Sequence, residues 1–140
     1  MSLHRINLKG PWDYEWLDGP AVPASSDGRV TMPAEWNALF GPVAGRAVFR
    51  RRFHSPTNLE PDDRVWLVFD RVGGRGTVAV NGEVVGKLTS SDQSQRFDMA
   101  ARLQPFNEAA VELEFDPATD ANPGGLYAPV AIEIESSHDW

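Results

Sequence analysis

"RVWLVFDRVGGRGTVAVNGEVVGKL", running from Arg64 to Leu88, carries two signals of an antiparallel sheet within one short stretch. In an extended chain Val65, Leu67 and Phe69 fall on one face and Trp66, Val68 and Asp70 on the other. Both faces are largely apolar, so this segment is expected to be a central strand. Past "RVGGRG", the dipeptide Asn81-Gly82 stands between two β-branched runs. A two-residue hairpin turn needs positive φ at both positions, which Asn and Gly tolerate, so Thr77 to Leu88 is expected to form a hairpin.

The same alternation recurs downstream. "AVELEFD" turns Val111, Leu113 and Phe115 one way and Glu112, Glu114 and Asp116 the other, and "VAIEIES" sets Ile132 and Ile134 against Glu133 and Glu135. Both read as half-exposed antiparallel strands. Upstream, "AVFRRRFH" from Ala47 to His54 is a further strand whose Arg50 and Arg52 either face an acidic stripe on a neighbour or stand in water. Short strands are expected near Ile6 to Leu8, Trp12 to Trp16 and Arg29 to Met32, interrupted by Gly10-Pro11 and Gly19-Pro20. Helix is confined to a turn or two in "AEWNALF" and another in "DMAARL", with Asp98 as its N-cap. Roughly eight to ten short strands separated by turn signals indicate an all-β fold, an antiparallel β-sandwich. With 140 residues, one domain over 1–140 is the expectation.

Composition narrows the function. The formal charge of −7 repels phosphate backbones and anionic lipid, so neither nucleic acid nor membrane is an expected partner. No apolar run approaches the ~18 residues that span a bilayer, and the first residues lack the apolar stretch of a signal peptide; the compartment stays open. The absence of cysteine removes disulfides, thiolate metal sites and a thiol nucleophile.

Catalytic motifs are missing as well. "GGRG" is followed by neither a Lys-Ser/Thr pair nor a helix, which makes it a turn and not a phosphate loop. His4, His54 and His138 have no metal-binding spacing and read as surface residues. A glycosidase needs two carboxyl groups about 5 to 9 Å apart in environments that split their pKa values. Glu112, Glu114, Glu133 and Glu135 fall instead on outward positions, where water keeps them ionised, so no catalytic residue is assigned. Asp116, Asp120 and Asn122 gather oxygens on one loop, as calcium sites do, but without the EF-hand spacing. Asx residues beside Pro and Gly make turns with their own backbone, and that reading is preferred; neither metal nor cofactor is expected.

The five tryptophans have two possible roles, filling the core or stacking on the C–H face of a sugar ring. Trp12 and Trp16 share a face and are assigned to the core. Trp36, in "MPAEWNALFG", stands in a turn-rich segment beside Asn37, where ring face and amide together would suit a sugar; core packing is the other reading. Trp66 lies opposite Val65, Leu67 and Phe69 and would be a platform if exposed on a concave face. Trp140 is terminal.

Taken in order, "LKGPWDYEW", "MPAEW", "GRAVFRRRF", "RVWLVFDRVGGRGTVAVNGEVVGKL", "FDMAARL", "VELEFD" and "GGLYAPVAIEIE" cover nearly the whole chain. This series resembles the N-terminal sugar-binding domain of glycoside hydrolase family 2, the β-galactosidase and β-glucuronidase group. The resemblance implies a jelly-roll sandwich of the galactose-binding-like fold. In that family the catalytic glutamates lie in a separate β/α barrel, and the loop before the G-G-I-Y strand lies near the active-site mouth. By position that loop is "DPATDANPGG", with Asp120 its nearest acid. Two departures are evident: Ala128 replaces the arginine that usually follows the tyrosine, and Gly74 and Arg75 stand where an aromatic or small residue is common.

The leading expectation is a non-catalytic carbohydrate-binding domain, with a glycan or glycoside held by Trp36, Asn37, Asp120, Asn122 and Tyr127. The alternative is a structural module with no sugar binding of its own, which holds a glycosidase catalytic domain or a second copy of itself.

Overall fold

The structure, a computed structural model, describes residues 2–136; His138 and Trp140 lie outside them. The segment Arg64–Phe69 (β5) is central, as its two apolar faces require. Its sheet runs in the order Ser2–Asn7 (β1), Val130–Ser136 (β10), β5 and Gln95–Asp98 (β8). The second sheet orders Asp27–Val30 (β3), Trp12–Asp18 (β2), Gly45–His54 (β4), Phe106–Phe115 (β9), Arg75–Val80 (β6) and Glu83–Leu88 (β7). Every pairing between these strands is antiparallel. The hairpin β6–β7 turns on Asn81 at φ 53° and Gly82 at φ 83°, as the dipeptide requires.

Between the sheets Val65, Leu67, Phe69 and Ile132 meet Phe49, Val78, Val111 and Leu113, all buried. This is the period-2 pattern of the sequence realised as two inner faces of a sandwich. Trp12 is fully buried, and Trp16 packs against the same core from the same side of β2. The strands near the N-terminus begin or end away from the expected limits: Leu8 and Met32 follow β1 and β3 but are buried all the same. Asp98 is not the N-cap of the 3₁₀ turn Ala100–Arg102; that position is Met99, though the Asp98 carboxylate accepts the Ala100 N–H at 3.0 Å.

Outside the six-stranded sheet the charges pair across strands. Arg50 meets Glu15 at 3.6 Å and Arg52 meets Glu108 at 4.0 Å, so both arginines of "RRR" that point outward do face acids. Arg46 reaches Asp18 at 2.7 Å and Glu112 at 2.6 Å. Its hydrogen bond, aided by its charge and opposed by slight desolvation, holds the Asp18 carboxyl below its usual range. A carboxyl so lowered stabilises the fold at neutral pH and loses that contribution as pH falls through its folded-state pKa. Asp18→Asn is therefore expected to flatten the fall of Tm below about pH 4, a small effect because the pair is solvent-screened. A Tm–pH curve parallel to that of the wild type would count against this assignment.

Candidate functional site

Two clefts open at the end of the sandwich where β4 begins and β9 finishes. One, of about 330 Å³, is bounded by Asn37, Pro42, Asp120 and Asn122; the other, of about 410 Å³, by Arg75, Ser90, Asp116 and Asp120. Phe115 and Asp120 line both, so the wall between them is shared. Asp120 and Asn122 arrive on the loop between β9 and β10, whose shape their own side chains set. The Asp120 carboxylate accepts the Asn122 N–H at 3.3 Å, and the Asn122 side-chain oxygen accepts the Gly124 N–H at 3.1 Å. Gly124 and Gly125 follow at φ 81° and 72°, and a Cβ on Gly124 would strike the Phe115 ring at 2.4 Å.

Ser90, from the loop after β7, ties this cluster together. Its hydroxyl donates to Asp120 at 2.5 Å and accepts from the Asn122 amide at 2.7 Å and the Gly74 N–H at 3.2 Å. Carboxylate and amide are thereby held in fixed mutual orientation at the mouth of the clefts. Ser90 was not singled out from sequence: it sits in "TSSDQS", 30 residues from Asp120, and only the fold makes them neighbours.

Of the expected site residues, then, Asn37, Asp120 and Asn122 come together. Trp36 is a correction: it opens the short helix Trp36–Phe40 (α1) with its ring fully buried. The indole N–H donates to the Val43 carbonyl at 2.9 Å, and Trp16, Phe40 and Phe115 surround the ring at centroid distances of 5.8, 4.7 and 5.5 Å. An indole so enclosed presents no face to a ligand; its edge contributes only to the floor of the smaller cleft. Tyr127 lines neither cleft and stands between buried Leu126 and Ala128. Trp66 is half-buried on the outer side of its sheet, with the Arg96 guanidinium 4.4 Å from its ring centroid, so a cation already occupies that face.

Asp116 makes a turn. Its carboxylate accepts the Ala118 N–H at 2.9 Å and its carbonyl accepts the N–H of Asp120 at 3.0 Å. Among the described residues no group of three or more His, Cys, Asp or Glu side chains is arranged to hold a metal ion. No helix of the structure is long and apolar enough to cross a membrane.

The fold is an antiparallel galactose-binding-like sandwich with two clefts among the loops at one end. More specifically, the chain belongs to the glycosyl hydrolase 2 galactose-binding domain-like family, whose model matches residues 43–123, more than half of its length. Solved structures agree on the fold. An FMN-binding β-glucuronidase from Facaelibacterium prausnitzii L2-6 superposes with a TM-score of 0.78 at 23% identity, over 94% of this chain and 22% of that one. The β-glucuronidase of Ruminococcus gnavus in complex with D-glucuronic acid gives 0.77 at 16% identity, over 96% of this chain and 30% of that one. The chain thus spans less than a third of the length of these solved chains. No curated protein matches it.

Proposed function

We propose that this chain, as one domain, is a non-catalytic carbohydrate-binding sandwich that works beside the catalytic part of a glycosidase. The observation that carries this reading is the Ser90–Asp120–Asn122 cluster, with exposed Asn37 across the same cleft. A carboxylate and two amides at a concave mouth are the planar groups that bond adjacent sugar hydroxyls. Both structural neighbours described above are β-glucuronidases, which supports a glycoside as the ligand class. Because Trp36 is withdrawn into the core, polar contacts carry the binding and a weak affinity, about millimolar, is expected.

Calorimetry against β-glucuronides, β-galactosides and β-mannosides tests it. Heat with at least one of them, abolished in Asp120→Ala, is expected; silence across the panel, or heat that survives Asp120→Ala, overturns the proposal. A second reading, docking onto a glycosidase catalytic domain or a second copy, draws on Leu17 and Val22. These side chains are exposed, and their connecting loop is hydrogen-bonded to α1 through Ala24. Size-exclusion chromatography separates the two readings, since a monomer with sugar heat favours the first.

A further inference from the structure

At the opposite end of β4 and β9 the two sheets part around a cavity of about 730 Å³. Ile6, Leu8, Phe53, Phe106 and Ile132 give it an apolar part, and Asn7, Arg52, His54 and Glu108 line the remainder with Arg51 and two asparagines. Phe106, on the outward parity of β9 with its ring edge-on to His54 at 4.9 Å, is 73% exposed at the rim, and Ile6, paired with buried Ile132, is 38% exposed. Into this space points the middle arginine of "RRR". Along β4 the buried Ala47, Phe49 and Phe53 define the inward face, and Arg51 shares their parity, opposite fully buried Ala109.

Arg51 is the anomaly of the site. Its outward neighbours Arg50 and Arg52 each have an acid, whereas Arg51 has no carboxylate partner among the described residues. One terminal nitrogen donates to the Arg52 carbonyl, and Nε is buried with no partner. Desolvation lowers its pKa, though a guanidinium keeps its charge at neutral pH. The nearby polar groups do not satisfy it. Glu108 lines the cavity but pairs with Arg52 on the outer face, and the amides of Asn81 and Asn107 are spent on each other and on backbone. A desolvated, under-bonded guanidinium over an apolar wall is what a buried carboxylate would complete.

We propose that this cavity is a second ligand site, which takes a monocarboxylate carried on an apolar body, with Arg51 bonding the carboxylate and Phe106, Ile6 and Ile132 covering the rest. Arg52 already pairs with Glu108, which leaves Arg51 as the guanidinium without an acid and favours one negative charge over several on a molecule of net charge −7, while the five apolar side chains favour an apolar body over heavily hydrated phosphate. The site is separate from the loop clefts and stands or falls independently of them.

The test is a titration of the chain, followed by amide NMR, with 4-phenylbutanoate, its neutral amide and inorganic phosphate. Saturable shifts at residues 6, 53 and 132 are expected with the carboxylate, and affinity at least about tenfold weaker with the amide, with phosphate or in Arg51→Gln. Arg51→Gln removes an arginine that has no acid to lose, and it is expected to keep a dispersed spectrum. Phe106→Ala, at an exposed position, is expected to bind about threefold more weakly with its fold intact. No saturation up to about 10 mM, equal binding of the amide or of phosphate, unchanged affinity in either variant, or shifts confined to Asn37, Ser90 and Asp120 would each overturn the proposal.

Discussion

Trp36→Ala is expected to lower the melting temperature by about 10 °C or more, the equivalent of about 3 to 5 kcal/mol for a chain of this size. Three terms add. The variant empties the space of an indole with no solvent exposure, so the surrounding rings can close it only in part. It removes the contacts with Phe40 at 4.7 Å, Phe115 at 5.5 Å and Trp16 at 5.8 Å, where tilted and edge-on geometries favour the pairs beyond area alone. It also leaves the Val43 carbonyl without its indole donor. Trp36→Phe keeps most of the volume and loses the hydrogen bond, so a cost of about 1 to 2 kcal/mol is expected. Thermal melts by circular dichroism measure both. If Trp36→Ala melted within a few degrees of wild type while sugar heat disappeared, the indole would be a platform and its place in the core would be wrong.

Trp36 also marks where sequence reading stops. Period-2 alternation identifies Val65, Leu67 and Phe69, or Val111, Leu113 and Phe115, because several residues repeat one geometric rule. α1 has only five residues, too few for helical periodicity, and the same letters serve a buried ring or an exposed one. What decides is the loop Pro123 to Leu126 on the far side, whose Gly124 carbonyl accepts the Trp36 N–H at 3.0 Å. Sheet membership was out of reach for a similar reason. β1 pairs with β10, setting Ser2 beside Ser136, and no local pattern connects residues that far apart. At the loop end, Asn37, Asp120 and Asn122 were visible as polar residues beside turn formers. Ser90, which orients two of them, had no local mark. Arg51, the middle arginine of "RRR", was not singled out; its inward place follows from the register of β4 against β9, and its missing partner shows only once both sheets are assembled.

Asn81→Ala is expected to cost about 3 kcal/mol, roughly 8 to 10 °C in Tm, although Asn81 sits in a hairpin turn where substitutions are usually mild. The dipeptide signal accounts only for its positive φ, and the side chain does more. Its amide donates to the Arg102 carbonyl and to the Asn107 side-chain oxygen, both at 2.9 Å, while its own oxygen accepts the Glu108 N–H at 2.9 Å. The turn is thereby bolted to the 3₁₀ segment and to the start of β9. Asn107, 4% exposed, depends on that bond as well as on Gln104. Alanine deletes all three bonds and is itself strained at φ 53° by about 1 kcal/mol. Glycine separates the two terms: Asn81→Gly keeps the backbone conformation and should recover about 1 kcal/mol of the loss. Asn81→Asp retains an acceptor for Glu108 but aims a carboxylate oxygen at two acceptors, the Arg102 carbonyl and Asn107, which raises the folded-state pKa of the new acid. Its destabilisation is therefore expected to deepen as pH rises through that pKa and to ease in acid, where a protonated carboxyl can donate. If glycine and alanine melted together near the wild type, the side-chain bonds would contribute nothing and Asn81 would be a turn former only.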